Sequence, residues 1–220
     1  AHAVPNMAQV PAVYSPYGRE CRGLWTVDDV SKYRLVGVDA SGLELRCLAH
    51  YMNDPEYTNI VLTGDVHTAN QERAGLKTRD QAKTFIYAFL YGAGAAKIGK
   101  VVGGTAKHGQ QLITRFLNNM PALKHLRMLV SKEAAGDTIK ALDGRLLHIR
   151  SEHAALNTLL QGAGAIVCKQ WLVHIMERVI KAKLDVRLVA SIHDEYQFEV
   201  AIPDIERFCR LTKEAMTQTT

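Results

Sequence analysis

The 220 residues, 47% hydrophobic and 22% charged with 16 Gly and 6 Pro, are enough to bury a core in one domain or two small ones, and their balance excludes a disordered tail or a collagen-like fibre. The stretches 84–96 and 153–168 lack charged side chains but carry polar groups and glycines and do not read as membrane spans; no basic-then-apolar leader opens the chain, and cysteines at 21, 47, 168 and 209 without a C-x-x-C pair suggest neither zinc nor a disulfide framework, which fits a reducing cytoplasm. The net charge of +5 is concentrated: between Arg73 and Arg127 ten Lys or Arg face Asp80 alone, the footprint expected for a phosphate-bearing partner.

Residues 1–34 are punctuated by Pro5, Pro11, Pro16, Gly18 and Gly23 and read as an irregular lead-in draped over the rest. The chain starts on Ala1 rather than Met, which reads as a piece of something longer unless it was processed. Leu35–Asp39 (LVGVD) reads as a short buried strand, followed at once by a helix whose apolar spacing is Leu43, Cys47, Leu48, Tyr51. From Pro55 to Leu126 the periodicity is helical and coincides with the basic segment. Asp143-Gly144 between the runs 138–142 and 145–149 predicts a hairpin. A long helix over 153–183, a strand over 187–192, a tight turn at His193-Asp194, a strand over 196–201 and a closing helix after Pro203 complete an α+β arrangement: a small antiparallel sheet with packed helices and a helical insertion.

Two features carry chemistry. On the helix that Thr78 caps, and that Gly92 ends, Arg79, Lys83, Tyr87 and Tyr91 recur every four residues and form one slowly turning stripe, leaving Phe85, Phe89 and Leu90 for the core. Two cations at the positive end of a helix followed by two phenol rings match a nucleotide laid along it; an amphipathic surface helix whose tyrosines cap the core accounts for the same spacing. The second feature is a pair of acids. Asp39 ends an apolar strand and Asp194 lies in a two-strand turn, and two such acids brought together would suit a divalent metal, although either alone is a common turn former or cap.

DASGLELRCLAHY (39–51), RDQAKTFIYAFLYGAG (79–94) and HDE (193–195) resemble the three active-site motifs of family A DNA polymerases. SPYG (15–18), GDVHT (64–68), LDGR (142–145) and HAALNTLLQ (153–161) are similar to the replicative polymerases of short-tailed phages, and the likeness covers nearly the whole chain. The resemblance implies a palm over 1–54 and 128–220 with helical fingers over 55–127. It implies two Mg²⁺ ions held by Asp39, Asp194 and the carbonyl of Ala40. Arg79, Lys83 and His67 would contact the triphosphate, Lys83 also giving a proton to pyrophosphate. Tyr87 would pack on the incoming sugar, with Glu44 paired to it and closing the space of a ribose 2′-hydroxyl; Tyr91 would sit by the templating base. His193 would touch the primer terminus beside Glu195, and Arg150, His153, Asn157 and Gln161 would line the duplex, the last three along one helix face.

The implied partners are primer-template DNA and dNTPs, with a thumb and exonuclease expected upstream of residue 1, a processivity factor, no membrane, and the cytoplasm of an infected bacterial host. Relative to the phage pattern, the segment between Arg127 and Asp143 is short and the chain stops early at Thr220. Two other functions stay open on sequence. A single-subunit RNA polymerase shares related motifs, but Glu44 stands against a ribose. A nucleic-acid-binding fragment, inert without a thumb, would keep the fold, yet both acids and Lys83 are intact.

Overall fold

The computed structural model describes residues 10–219. In chain order it contains α1 (Gly18–Gly23), β1 (Tyr33–Asp39), α2 (Leu43–Met52), α3 (Pro55–Thr63), α4 (Val66–Ala74), α5 (Arg79–Leu90), α6 (Ala95–Val101), α7 (Ala106–Asn118) and α8 (Pro121–Ala134). A hairpin of β2 (Thr138–Lys140) and β3 (Leu146–His148) follows, then α9 (Ala155–Ala182), β4 (Val186–Ile192), β5 (Glu195–Ala201) and α10 (Ile205–Thr217), with 3₁₀ turns at Glu152–Ala154 and Ile202–Asp204. The architecture is α+β, as the periodicities predict. It divides into two compact units: one runs through Ser41 and resumes at Val167, the other is 42–166. The opening AHAVPN with Pro5, and so the first part of the expected 1–54 segment, lie outside the described residues.

In the first unit the antiparallel sheet has the order β1-β5-β4, with Gly37 opposite Gln197 and Asp39 opposite Glu195. Along β5 the core side chains Tyr196, Phe198 and Val200 alternate with half-exposed ones, the period-two pattern of a sheet covered on one face. Phe208 of α10 meets Phe198 edge-on at 4.9 Å, and Trp171 of α9 lies 5.8 Å from Tyr196 while its Nε1 donates to the Thr212 carbonyl at 2.9 Å. Helices cover only that face, so the expectation of a buried LVGVD strand is corrected. β1 is an edge strand and Leu35 stays 38% exposed. The register slips between Leu188 and Ala190, and the bulged Val189 points into solvent just before the β4–β5 turn. The lead-in is not wholly irregular. Backbone turns close from Ser15 N–H to the Ala12 carbonyl and from Gly18 N–H to the Ser15 carbonyl, and they launch α1. Trp25 and Val27 then line a cleft of 710 Å³ on the open face of the sheet, with Leu35, Val189, Gln197 and Glu199.

In the second unit α5 is the central helix. Thr78 caps it by accepting from Gln81 N–H at 3.2 Å, and Phe85 and Phe89 meet Phe116 of α7 edge-on at 5.1 and 5.6 Å. Ile86, Leu90, Ile98, Leu112 and Leu123 complete this core. Gly92, with φ +74°, ends the helix in the left-handed region; any Cβ there would lie 2.7 Å from the His153 carbonyl oxygen. The hairpin pairs only three residues per strand, because a turn closed by Gly144 N–H on the Ala141 carbonyl absorbs the ends of both expected runs. The long helix starts two residues later than expected. His153 lies on the 3₁₀ turn ahead of the helix that carries Asn157 and Gln161.

Candidate functional site

The first unit assembles an acidic group at the ends of β1 and the β4–β5 turn. Register places Asp39 directly across from Glu195, and Ala40 N–H donates to the Asp194 carbonyl at 3.1 Å, which ties the turn to the strand end. His193 occupies the first turn position with φ +55°, a left-handed conformation that costs a non-glycine residue about 1–2 kcal/mol. Burial first, and then the charges of Asp194 and Glu195, hold the Asp39 carboxyl above the usual carboxylate range. A cation would relieve the repulsion among three acids at a solvent-open strand end. Among the described residues no group of three or more His, Cys, Asp or Glu forms a ready metal cage. By their chemistry two carboxylates and a carbonyl would suit a hard divalent cation that completes its shell with water and phosphate oxygens. Gln197 donates to Glu195 on the same face, and Gly37 opposite leaves the space for it: a Cβ there would come 2.8 Å from the Gln197 amide nitrogen.

The second unit carries the stripe. Arg79 and Lys83 are exposed on the first turns of α5, and the Tyr87 and Tyr91 rings stack at 6.4 Å and 27°. Arg79 Nε donates to Asp65 at 2.6 Å, which holds the Asp65 carboxyl well below the usual range; Asp65 also caps α4 by accepting from His67 N–H and Thr68 N–H at 3.1 and 3.4 Å. That cap sets His67 on the first turn of α4, with its ring 6.0 Å from Tyr87. Burial, followed by the charges of Arg79 and Lys83, pushes the His67 pKa down, so its imidazole is neutral at pH 7. Glu44 at the start of α2 accepts from the Tyr91 hydroxyl at 2.8 and 3.0 Å, one turn along α5 from Tyr87. Arg150 is exposed ahead of the 3₁₀ turn that carries exposed His153; half-buried Asn157 and exposed Gln161 share a face of α9.

Four residues of these surroundings escape the sequence reading. Asp65 was legible as a helix N-cap beside His67, and Gln197 as the same-face neighbour of Glu195 at strand period two. Tyr57 and Asn70, buried behind His67, have no signal in the sequence, since only tertiary packing brings α3 against α4.

The model for DNA polymerase family A matches residues 1–220. The DNA-directed DNA polymerase of Enterobacteria phage T3 is 45% identical over 98% of this chain and 35% of its own length; that of Escherichia phage T7 is 46% identical over 89% and 32%. The chain thus spans about a third of the length of these relatives. A solved structure, the polymerase domain of Pol1 from M. smegmatis in complex with DNA primer-template and dNTP, superposes with a TM-score of 0.85 over 98% of this chain and 42% of that one; at 21% identity it is a likeness of fold. Among the described residues no helix is long and apolar enough to cross a membrane.

Proposed function

The chain belongs to DNA polymerase family A, and from that premise we propose that it is the palm-and-fingers catalytic core of a template-directed phage replicative DNA polymerase, acting on primer-template DNA and dNTPs in the cytoplasm of an infected bacterium. The palm is 1–54 with 128–220 and the fingers 55–127; a thumb and exonuclease polypeptide and a processivity factor are its further partners. The observation that carries the reading is the acid cluster of Asp39, Asp194 and Glu195, with Asp39 across from Glu195 in register and held above the usual carboxylate range first by burial and then by its two acidic neighbours.

Asp39, Asp194 and the Ala40 carbonyl are the groups that would hold two Mg²⁺ ions, whose chemistry there would be to lower the pKa of the primer 3′-hydroxyl and to offset the charge of the departing pyrophosphate. Every other task falls to side chains. Arg79 exchanges Asp65 for a phosphate oxygen, a trade of one anion for another that keeps its charge paired. Lys83, exposed one turn along, contacts the triphosphate and passes a proton to pyrophosphate as the bond from the α-phosphorus to its bridging oxygen breaks. Neutral His67 donates to a phosphate oxygen. Tyr87 packs on the sugar, and Glu44, held by Tyr91, closes the 2′-hydroxyl space from the same cluster. Left-handed His193 presents its ring to the primer terminus beside Glu195. Asn157 and Gln161 on α9, with His153 and Arg150 before it, meet the duplex; amides there can pair with the minor-groove acceptors that all correct base pairs share.

Primer extension with Mg²⁺ tests this. Asp39→Asn and Asp194→Asn are each expected to lower the extension rate of an active form at least about a hundredfold while leaving DNA binding largely intact, the scale on which a charge stabiliser of the transition state acts. Near-full turnover in either variant would overturn the assignment.

A further inference from the structure

Five buried side-chain polar atoms without a hydrogen-bond partner in the protein lie on two neighbouring helices. They are the Tyr57 hydroxyl on α3 and, on α4, His67 Nδ1, both amide atoms of Asn70 and Arg73 Nη1. Tyr57 and Asn70 are 0% exposed. Steps of three along α4 put His67, Asn70 and Arg73 on adjoining turns of one side. The Arg73 guanidinium stands 5.5 Å over the Tyr57 ring, anchored through Nη2 to Glu56 at 2.9 Å. Asn70 faces the Tyr57 phenol as a hydrogen-bond donor, although not at ordinary bond length; the charge of Arg73 also acts on that phenol, as does Tyr87, whose ring is the one that faces His67. Burial pushes the Tyr57 pKa up to about 12, so the phenol keeps its proton and is a donor. A fully buried amide oxygen without a donor is disfavoured enough that native proteins seldom keep one dry.

The group has the composition of a buried hydration site. Tyr57 O–H, Asn70 Nδ2 and Arg73 Nη1 donate, while Asn70 Oδ1 and His67 Nδ1 accept, which covers the two to four polar partners that an internal water requires, about three on average. We propose that an ordered water among these side chains accepts from Tyr57 and Arg73 and donates to Asn70 Oδ1 and His67 Nδ1. That bond fixes the imidazole as the Nε2–H tautomer, with its only N–H left for the triphosphate. Asn70 and Tyr57 are thereby positioning residues, acting through His67. The inference rests on the triphosphate role given to His67 above.

Two substitutions separate positioning from mere packing. Asn70→Leu keeps the volume and removes the amide; Tyr57→Phe removes only a hydroxyl and is the variant least able to disturb the fold. The first readout is the His67 tautomer in the 220-residue chain without nucleotide, read from the ring nitrogen shifts of histidine-labelled protein and assigned by the signals lost in His67→Ala. Wild type is expected to show one neutral tautomer with the proton on Nε2, and each variant a mixture. The second readout is dNTP affinity with primer-template bound, expected to weaken about fivefold in Asn70→Leu, the weight of one net hydrogen bond. An unchanged single tautomer in folded Asn70→Leu and Tyr57→Phe refutes the proposal, as does a wild-type ring with its proton on Nδ1. If His67→Ala leaves dNTP affinity unchanged while the tautomer still responds to Asn70, the water site stands and the triphosphate role of His67 falls.

Discussion

At the scale of single residues, the groups that would meet a nucleotide are held by neighbours that must partly let go. Arg79 is paired with Asp65, and His67 is kept neutral by burial and by two cations. The titration of His67 gives a signed expectation. Its pKa in the free chain lies below the ordinary 6.5, so the stability this group contributes is full above 6.5 and is lost as pH falls through the depressed value. A triphosphate offsets Arg79 and Lys83 and raises that pKa, so binding takes up protons and affinity gains from this group as pH falls below neutrality. Calorimetry of dNTP binding in two buffers of different ionisation enthalpy should show fractional uptake near pH 6.5, and His67→Gln should abolish it. Equal uptake in that variant would assign the proton to another group. Tyr87 is expected to substitute its phenol for a missing 3′-hydroxyl. Tyr87→Phe should therefore discriminate against dideoxynucleotides more strongly than wild type, by competitive incorporation; unchanged discrimination removes Tyr87 from that role.

Among the elements, α5 is the one whose placement matters most, and it is fixed at both ends and along its inner face. Thr78 stops it at the start, Phe85 and Phe89 lock against Phe116, and Gly92 turns the chain away where the His153 backbone comes close. Gly92→Ala meets two penalties at once, a left-handed φ of +74° and a Cβ 2.7 Å from a carbonyl oxygen. A loss of at least about 1–2 kcal/mol is expected from the first alone, measurable as a lowered denaturant midpoint. A midpoint equal to wild type would mean that the segment from 92 to 153 can rearrange freely. The β4–β5 turn is under a similar constraint at His193, where backbone strain is retained beside the acid cluster.

For the whole molecule, charge distribution is expected to decide how the proposed nucleic acid is held. Ten cations against one acid between residues 73 and 127 would supply binding that ignores sequence and weakens with salt. The dissociation constant of the 220 residues for primer-template should rise linearly on a log–log plot against salt, with a slope of about 0.9 per phosphate neutralised. Extension by these residues alone is expected to be distributive and to improve when the upstream part of a relative is supplied in trans. Hundreds of additions in one binding event, with a trap present, would contradict this.

What the sequence by itself determined is the part governed by local rules. Residue spacing announced the α5 stripe and its cap, the turn at His193-Asp194 announced the strand after it, Asp143-Gly144 announced the hairpin, and the three motifs announced the family now matched over residues 1–220. These follow from 3.6- and 2-residue periods and from turn chemistry, which need no distant partner. Only the tertiary structure decided which faces are covered and which side chains meet. LVGVD is equally apolar whether helices pack on one side or both, so its open face, and the 38% exposure of Leu35, became visible only with α9 and α10 in place. His153 lies ahead of α9 rather than on it because the chain enters that helix through a 3₁₀ turn. Glu44 reaches Tyr91 across 47 residues, Gln197 finds its room opposite Gly37, and Tyr57 meets Asn70 behind His67. Such pairings depend on contacts between elements far apart along the chain, and a pattern of types in one dimension carries no distance between them.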